Sequence, residues 1–189
     1  MTPPLDIDSL RHRVAAGEHF DYRFFWGHEP RPDGAVSNSC LSQWWRCRFE
    51  IDGQVYDSAE QLMMAEKARL FEDPGSRAQI LATDDPARAK AIGRKVRGFD
   101  DARWIPQRFD LVTRGNVAKF AQNPQLGAFL ASTKDEVLVE ASPVDAVWGI
   151  AMAADDADAA NPARWRGLNL LGFALMRTRA VLRGDLPNL

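Results

Sequence analysis

The sequence predicts a mainly α-helical α+β fold in a single domain with a small β-hairpin or sheet, on three observations. Long stretches carry apolar residues at helical spacing, the most regular being 56–71 and 100–122. Two short β-prone segments flank an Asp52-Gly53 dipeptide, a strong two-residue hairpin signal. The chain has 189 residues, 46% of them hydrophobic and 26% charged, which suits one soluble domain with a full core.

Residues 1–18 read as a loose lead-in, with Leu5 to Val14 expected as one or two fraying helical turns. The domain proper is expected over 19–184, with 185–189 as a tail. Phe20 to Trp26 is aromatic-rich and β-prone. Gly27 to Ser39 holds two prolines, two glycines and an asparagine, so it reads as a loop. Arg46 to Ile51 alternates as a strand, and Gln54 to Tyr56 returns from the hairpin turn. Tyr56 to Phe71 is a helix capped by Asp57 or Ser58, and Asp73-Pro74-Gly75 stops it. Ser76 to Leu81 forms a short helix. Thr83-Asp84-Asp85-Pro86 starts another, with proline in the first turn, which runs over Ala87 to Val96 and breaks at Gly98. Asp100 to Gln122 is a long helix with Pro106 near its start or at a kink, and Pro124 to Ala131 is a short one. Glu136 to Ala141 reads as a strand. Pro143 to Ile150 is a loop holding Asp145 and a Trp-Gly pair, and the Ala/Asp-rich Ala153 to Pro162 reads as a mobile loop. Leu168 to Leu182 is the last helix.

The central helix carries an unusual stripe. At about 100° per residue, Glu60, Met64, Lys67 and Phe71 fall within about 40° of one another, flanked by Met63 and Leu70. A helical ion pair prefers a spacing of three or four residues. Glu60 and Lys67 are about 10.5 Å apart along the axis, so both reach something placed between them more readily than each other. Two plainer readings stand beside this. Glu60 fits a capping box with Asp57, although Ser58 with Gln61 fits equally well and would leave Glu60 for other work. Lys67 can also snorkel out of a core.

The bulk numbers exclude several classes. A net charge of −2 gives no general attraction to nucleic acid or acidic membranes. No apolar run approaches the length of a membrane span, and the N-terminus lacks a basic region followed by an apolar one. Two cysteines, Cys40 and Cys47, are too few for a disulfide scaffold and have no zinc spacing. The three histidines lie in the first 28 residues without ligand spacing, so no structural metal is expected. A cytoplasmic protein with reduced thiols follows as the expectation.

Seven blocks of residues occur in series. They are Phe24-Phe25-Trp26-Gly27 with Leu41-Ser42-Gln43-Trp44; Glu60-Gln61-x-Met63-Met64-Ala65-x-Lys67-Ala68-x-x-Phe71-x-Asp73; Gly93-Arg94; Trp104; Asn116-x-x-Lys119-Phe120; Leu138-Val139-Glu140-Ala141 with Asp145-x-x-Trp148-Gly149-Ile150; and Gly167-Leu168-Asn169-Leu170-Leu171-Gly172. This series resembles the NADAR family, also described as the YbiA-like or riboflavin-intermediate N-glycosidase family, over about residues 22–183. The resemblance implies the YbiA-like (NADAR) fold and an enzyme that hydrolyses N-glycosidic bonds, without metal or cofactor. Known activities in that family divide in two. Some members cleave ribosylamine-phosphate intermediates of riboflavin biosynthesis. Others remove ADP-ribose from guanine in nucleic acid and so reverse a toxin's modification.

Residue by residue, the resemblance implies Glu60 as catalytic acid/base and Lys67 as an amine able to form a Schiff base at C1′ of the sugar. Burial among Met63, Met64 and Phe71 is expected to depress the Lys67 pKa, with Glu60 opposing. Asp145 is expected as a second carboxylate or a ligand to a ribose hydroxyl, with capping of local amides as the alternative. Trp148 is expected to stack on the base, and Trp44 and Trp104 to wall the pocket, although core packing is the commoner role of tryptophan. Arg23 and Arg94 are candidate phosphate ligands. Asn169 is expected to bind sugar or to cap the last helix. Phe25, Trp26, Gly27, Ser42 and Gly149 complete the expected substrate contacts. The implied partners are an ADP-ribosyl or ribosyl-phosphate N-glycoside, ADP-ribosylated DNA or RNA, and a pairing with a guanine ADP-ribosylating toxin. The chain departs from the family pattern in two places. Leu-Ser-Gln-Trp stands where many members have Leu-Ser-Asn-Phe, and Leu62-Met63 stands where the riboflavin-type subgroup has an aromatic pair. Both departures bear on substrate, not on reaction type.

Overall fold

A computed structural model describes residues 4–187, and they fold as two compact units. One is the continuous segment Gln43–Gly127, and the other joins the chain up to Ser42 with the chain from Ala128 onward. The architecture is mainly helical with two two-stranded sheets, as the sequence predicts.

The continuous unit opens on the antiparallel hairpin β2 (Phe49–Ile51) and β3 (Gln54–Tyr56), with Ile51 opposite Gln54. Asp52 and Gly53 both take positive φ, 52° and 79°, as a tight hairpin turn demands. Helix α2 (Ala59–Leu70) follows at once. Its Ser58 Oγ accepts from the Gln61 amide at 3.1 Å, and Gln61 Oε1 accepts from the Asp57 amide at 2.7 Å. Gln61, not Glu60, therefore closes the capping box. Gln61 Nε2 also donates to the carbonyls of Ile80 at 3.2 Å and Thr83 at 2.7 Å, which ties α2 to the end of α3 (Pro74–Leu81).

Helix α3 starts two residues earlier than the sequence suggested, because Asp73 caps the Ser76 amide and Pro74 sits at the first helical position. Helix α4 (Pro86–Gly93) stops three residues short of Val96. A Cβ on Gly93 would lie 2.1 Å from Met64 Sδ, so glycine lets α4 touch α2 there. Helix α5 (Asp101–Gln122) runs unbroken through Pro106. It crosses α2 where a Cβ on Gly115 would lie 2.2 Å from Leu62 Cδ2. Helix α2 thus contacts α3, α4 and α5, and Ala59 through Ala65 are all buried. Helix α6 (Pro124–Ser132) carries the chain out of this unit.

The other unit is organised on a parallel pair, β1 (Tyr22–Phe25) with β4 (Val137–Glu140), in register from Tyr22↔Val137 to Phe25↔Glu140. Helix α7 (Leu170–Arg183) lies against β4. A Cβ on Gly172 would stand 2.0 Å from the Leu138 carbonyl oxygen, so only glycine permits this approach. Arg179, 3% exposed, donates to Thr133 Oγ1 at 2.6 Å and to the Glu136 carbonyl at 2.9 Å. Burial draws its pKa down to about 10.

Two expectations for this unit are corrected. The described part of the lead-in is more than one or two loose turns. It forms helix α1 (Ile7–Ala15), capped by Asp6, and Arg11 donates to the carbonyls of Pro162 at 2.9 Å and Trp165 at 3.0 Å. The Ala/Asp-rich segment is likewise held, by turns at Ala153 to Asn161 and by Trp165 Nε1 donating to the Ala159 carbonyl at 2.7 Å. Small and acidic residues there make turns whose carbonyls are then used, which composition alone does not reveal.

Two measurements test this account. Gly172→Ala drives a methyl into a backbone carbonyl that cannot swing away, so urea unfolding should show a loss of about 3 kcal/mol. Asp73, 2% exposed, accepts from the Arg97 guanidinium and amide and from Ser76, and these bonds hold its carboxyl well below the usual range. Its stabilising contribution is present above about pH 4 and is lost as the pH falls below that. The urea midpoint of the parent should drop between about pH 4 and pH 2 more than that of Asp73→Asn.

Candidate active site

The N-terminal turn of α2 buries a carboxylate. Glu60 is 2% exposed, and its amide donates to the Gln43 carbonyl at 2.9 Å. Two turns on, Lys67 is half-buried, with its Nζ 4.0 Å from the centre of the Phe99 ring and 5.9 Å from that of Trp104. Phe99 is itself braced. Its ring meets Phe71 at 5.3 Å between centroids, and Arg97, two residues earlier, is anchored to Asp73 by its amide at 3.1 Å and its guanidinium at 2.9 Å.

The residues around the amine differ from the sequence expectation. Phe99 and Trp104 form an aromatic wall, of which the sequence reading included only Trp104. Met64 lies against Gly93. The turn between α4 and α5 folds back beneath Lys67, and no periodicity signals such a turn.

Burial pushes the Lys67 pKa down, while the carboxylates of Asp101 and then Glu60 push it up. The direction is the expected one, but Asp101 opposes it more than Glu60 does. The Phe99 ring face adds a second attraction for the charged form. An amine drawn below its usual pKa has a larger neutral, nucleophilic fraction at pH 7.

Among the other expected residues of this unit, Trp104 is 7% exposed on the first turn of α5 and Trp44 is half-buried. Lys90 Nζ lies 5.6 Å from the Trp44 ring centre. Arg94 is exposed at the end of α4. The motif Asn116-x-x-Lys119 proves to hold two residues with 0% exposure, which the sequence blocks marked without assigning them a role. Phe99 was missed altogether.

In the other unit, Asp145, Trp148, Gly149 and Asn169 gather at the carboxyl end of the parallel strands. Asp145 Oδ1 accepts from the amides of Val147 at 2.9 Å and Trp148 at 2.8 Å, so one oxygen shapes the turn that carries the tryptophan. A Cβ on Gly149 would meet the Glu140 carbonyl at 2.7 Å, so the turn lies hard against β4. Asn169 precedes α7 in a left-handed conformation without capping it. Its Oδ1 accepts from the Glu140 amide at 2.9 Å and its Nδ2 donates to the Leu138 carbonyl at 2.9 Å. Asn169 therefore splices α7 to the edge of β4. Arg23 is bidentate on Glu136 and donates to Asn38 Oδ1 at 3.1 Å, so its guanidinium is committed. Phe25 is buried at the end of β1, Trp26 is 62% exposed, Gly27 takes φ 82°, and Ser42 is half-buried. No described helix is long and apolar enough to cross a membrane.

Comparisons with known proteins bear on the family and the fold. The NADAR domain family model matches residues 24–183. The chain is 40% identical over 163 residues to N-glycosidase R617 of Acanthamoeba polyphaga mimivirus, covering 84% of this chain and 94% of that one. It is 31% identical over 140 residues to the maize chloroplastic riboflavin biosynthesis protein PYRR, covering 70% of this chain but only 21% of that one. It is 28% identical over 134 residues to N-glycosidase YbiA of Escherichia coli, covering 71% of this chain and 75% of that one. The NMR structure of E. coli YbiA matches with a TM-score of 0.70 at 22% identity, over 96% of this chain and 94% of that one, so the fold is shared.

The Lys67 environment has a measurable consequence. With 13C at lysine Cε, Lys67 should titrate below the ordinary value of about 10.4, and Asp101→Asn should lower it further. A Lys67 titration at or above that value would refute the buried-amine account. Because the folded-state pKa is the lower one, the penalty for the charged amine is in force at pH 7. It fades as the pH rises past the unfolded value of about 10.4. Lys67→Met should therefore raise the melting temperature at pH 7 and leave it unchanged near pH 11.

Proposed function

We propose that this chain, which belongs to the NADAR domain family, cleaves the N-glycosidic bond of ADP-ribosylated guanine in nucleic acid and releases ADP-ribose. In its coarser form the reading is that the chain is a hydrolase acting on N-glycosyl compounds, in line with the names of R617 and YbiA. One observation carries the chemistry: a buried carboxylate and a half-buried amine of lowered pKa share one face of α2, about two turns apart.

The reaction runs as an exchange at C1′. The lone pair of the glycosidic nitrogen expels the ring oxygen, which takes a proton, and leaves an imine at C1′. The neutral Lys67 amine adds to that carbon, and a proton passes from it to the departing nitrogen. The C1′–N bond then breaks, guanine leaves, and a Schiff base joins Lys67 to the sugar. Water adds to C1′, the Lys67–C1′ bond breaks, and the freed aldehyde recloses to ADP-ribose. Glu60 is the group placed to give the first proton and to take one from the water. Trp104 and Phe99 keep the amine dry enough to stay reactive. Arg94, exposed at the end of α4, is the phosphate ligand of this reading. In the other unit, Asp145 shapes the turn that carries Trp148.

The departure at Leu62-Met63 from the aromatic pair of the riboflavin-type subgroup bears on the base without deciding it. Leu62 is used in packing on Gly115. A second reading, cleavage of a ribosylamine-phosphate intermediate of riboflavin synthesis, is favoured by the likeness to the maize riboflavin biosynthesis protein. The same residues serve either substrate. Cys40 and Cys47 are not joined in a disulfide, which suits the cytoplasm, where a guanine-modifying toxin would be the functional counterpart.

Incubation with guanine-ADP-ribosylated oligonucleotide, and separately with 5-amino-6-ribosylamino-uracil phosphate, tests both readings. Borohydride is included, and the protein is read by intact mass. The expected result is free ADP-ribose from the first substrate, with a trapped adduct absent in Lys67→Ala. Glu60→Gln should lower kcat at least about 100-fold without unfolding the chain. Product without any adduct would favour water activated by Glu60. Saturable binding without product would make the chain a nucleotide-binding module.

A further inference from the structure

Asn116 holds the one fully buried amide on the face of α5 that meets α2, and only half of it is used. The residue has 0% exposure. Its Nδ2 donates twice, to Gln43 Oε1 at 3.0 Å and to the Val112 carbonyl at 2.9 Å. Both partners are acceptors, so the assignment of nitrogen and oxygen in this amide is not interchangeable. The oxygen, Oδ1, is buried and accepts nothing. A buried carbonyl-type oxygen without a donor is costly, so such groups in proteins are met by a partner or by an ordered water.

The position of this oxygen is informative. Gly115, the preceding residue, is where α5 crosses α2 against Leu62. Gln43, which Asn116 holds by its side chain, takes the Glu60 amide on its carbonyl at 2.9 Å. Asn116, Gln43 and Glu60 thus form one hydrogen-bonded line into the first turn of α2. Gln43 is itself buried, at 6% exposure. The amide is therefore fixed through its nitrogen and left with an unmatched acceptor on the residue that holds Gln43, whose carbonyl takes the Glu60 amide.

We propose that Asn116 is a further polar residue of this site, whose Oδ1 accepts a hydrogen bond from an O–H or N–H donor supplied by the reaction. That donor is either an ordered water or a group of the substrate. The inference rests on the N-glycosidase reading for its catalytic meaning, but the vacant acceptor stands on geometry alone. A water held there would be oriented by an amide whose other half is committed to structure. A substrate donor would have its orientation read by Asn116, and analogues lacking that donor would be rejected because the oxygen would stay unmatched.

Two experiments on the full chain decide it. The first is a double-mutant comparison of Gln43→Ala, Asn116→Ala and the pair, assayed on whichever of the two substrates the parent cleaves. If Asn116 only holds Gln43, adding Asn116→Ala to Gln43→Ala changes nothing, and the proposal falls. The expected result is a further loss of about 5- to 10-fold in kcat/KM, the scale of one hydrogen bond, with the melting temperature of the Gln43→Ala parent kept. The loss should appear in kcat if the donor is water and in KM if it belongs to the substrate. The second is a high-resolution crystal structure of the parent, free and soaked with ADP-ribose plus guanine or with ribose 5-phosphate. A water within about 3.2 Å of Asn116 Oδ1 in the free crystal supports the water arm. A ligand donor at that distance in the soaked crystal supports the substrate arm. An acceptor unmet in both overturns the proposal. If the parent cleaves neither substrate, the N-glycosidase reading fails, and the crystal structures still decide the fate of Oδ1.

Discussion

Enclosure of α2 is the constraint on which the functional part of this protein depends. A helix touched by α3, α4 and α5 has little solvent-facing surface, and its polar residues must find partners in the protein. Ser58 and Gln61 do so by closing the N-terminus and reaching the end of α3. That division of labour relieves Glu60 of capping duty. Two glycines, Gly93 and Gly115, let the neighbouring helices approach closely enough to exclude water around Met64 and Leu62. Burial of the amine itself, beside the Phe99 and Trp104 rings, is what draws down the Lys67 pKa.

The second unit solves a different problem with similar means. Two short parallel strands offer few hydrogen bonds and no hairpin to join them. Asn169 substitutes for a further strand along β4 by meeting one amide and one carbonyl of its backbone. Gly172 allows the helix behind it to sit on that same strand. The turn from Asp145 to Ile150 is then pressed between β4 and the start of α7, and Trp148 is presented from a rigid base rather than a loose loop.

Most elements were legible because their signals are local. Asp52-Gly53 fixes the hairpin, Ser58 and Gln61 fix the start of α2, and Pro86 marks the start of α4, whereas Pro74, read as a helix stop, opens α3. The stripe of Glu60 and Lys67 was also readable, since helical phase alone puts them on one side. Features of long sequence separation were not. The pairing of β1 with β4 spans over a hundred residues, and neither strand announces its partner. Arg23 looked like a phosphate ligand because nothing local says that Glu136 lies beside it. Phe99 was missed because an irregular turn places it under Lys67, and irregular turns have no period. Asn169 looked like a cap because its position suits one, but a left-handed backbone turned its side chain to β4.

The interleaving of the two units along the chain has a consequence for synthesis. Gln43–Gly127 is continuous, and α2 packs on α3, α4, α5 and β3, all within it. Its loops are short to close, and it can gain order while the rest of the chain is still being made. The other unit must wait. Tyr22–Phe25 leaves the ribosome early and stays without its parallel partner until Val137–Glu140 follows. During that interval an aromatic edge strand is exposed to mispairing. A chain cut short between residues 127 and 137 would hold the segment carrying Glu60 and Lys67 complete and leave the first strand without its parallel partner.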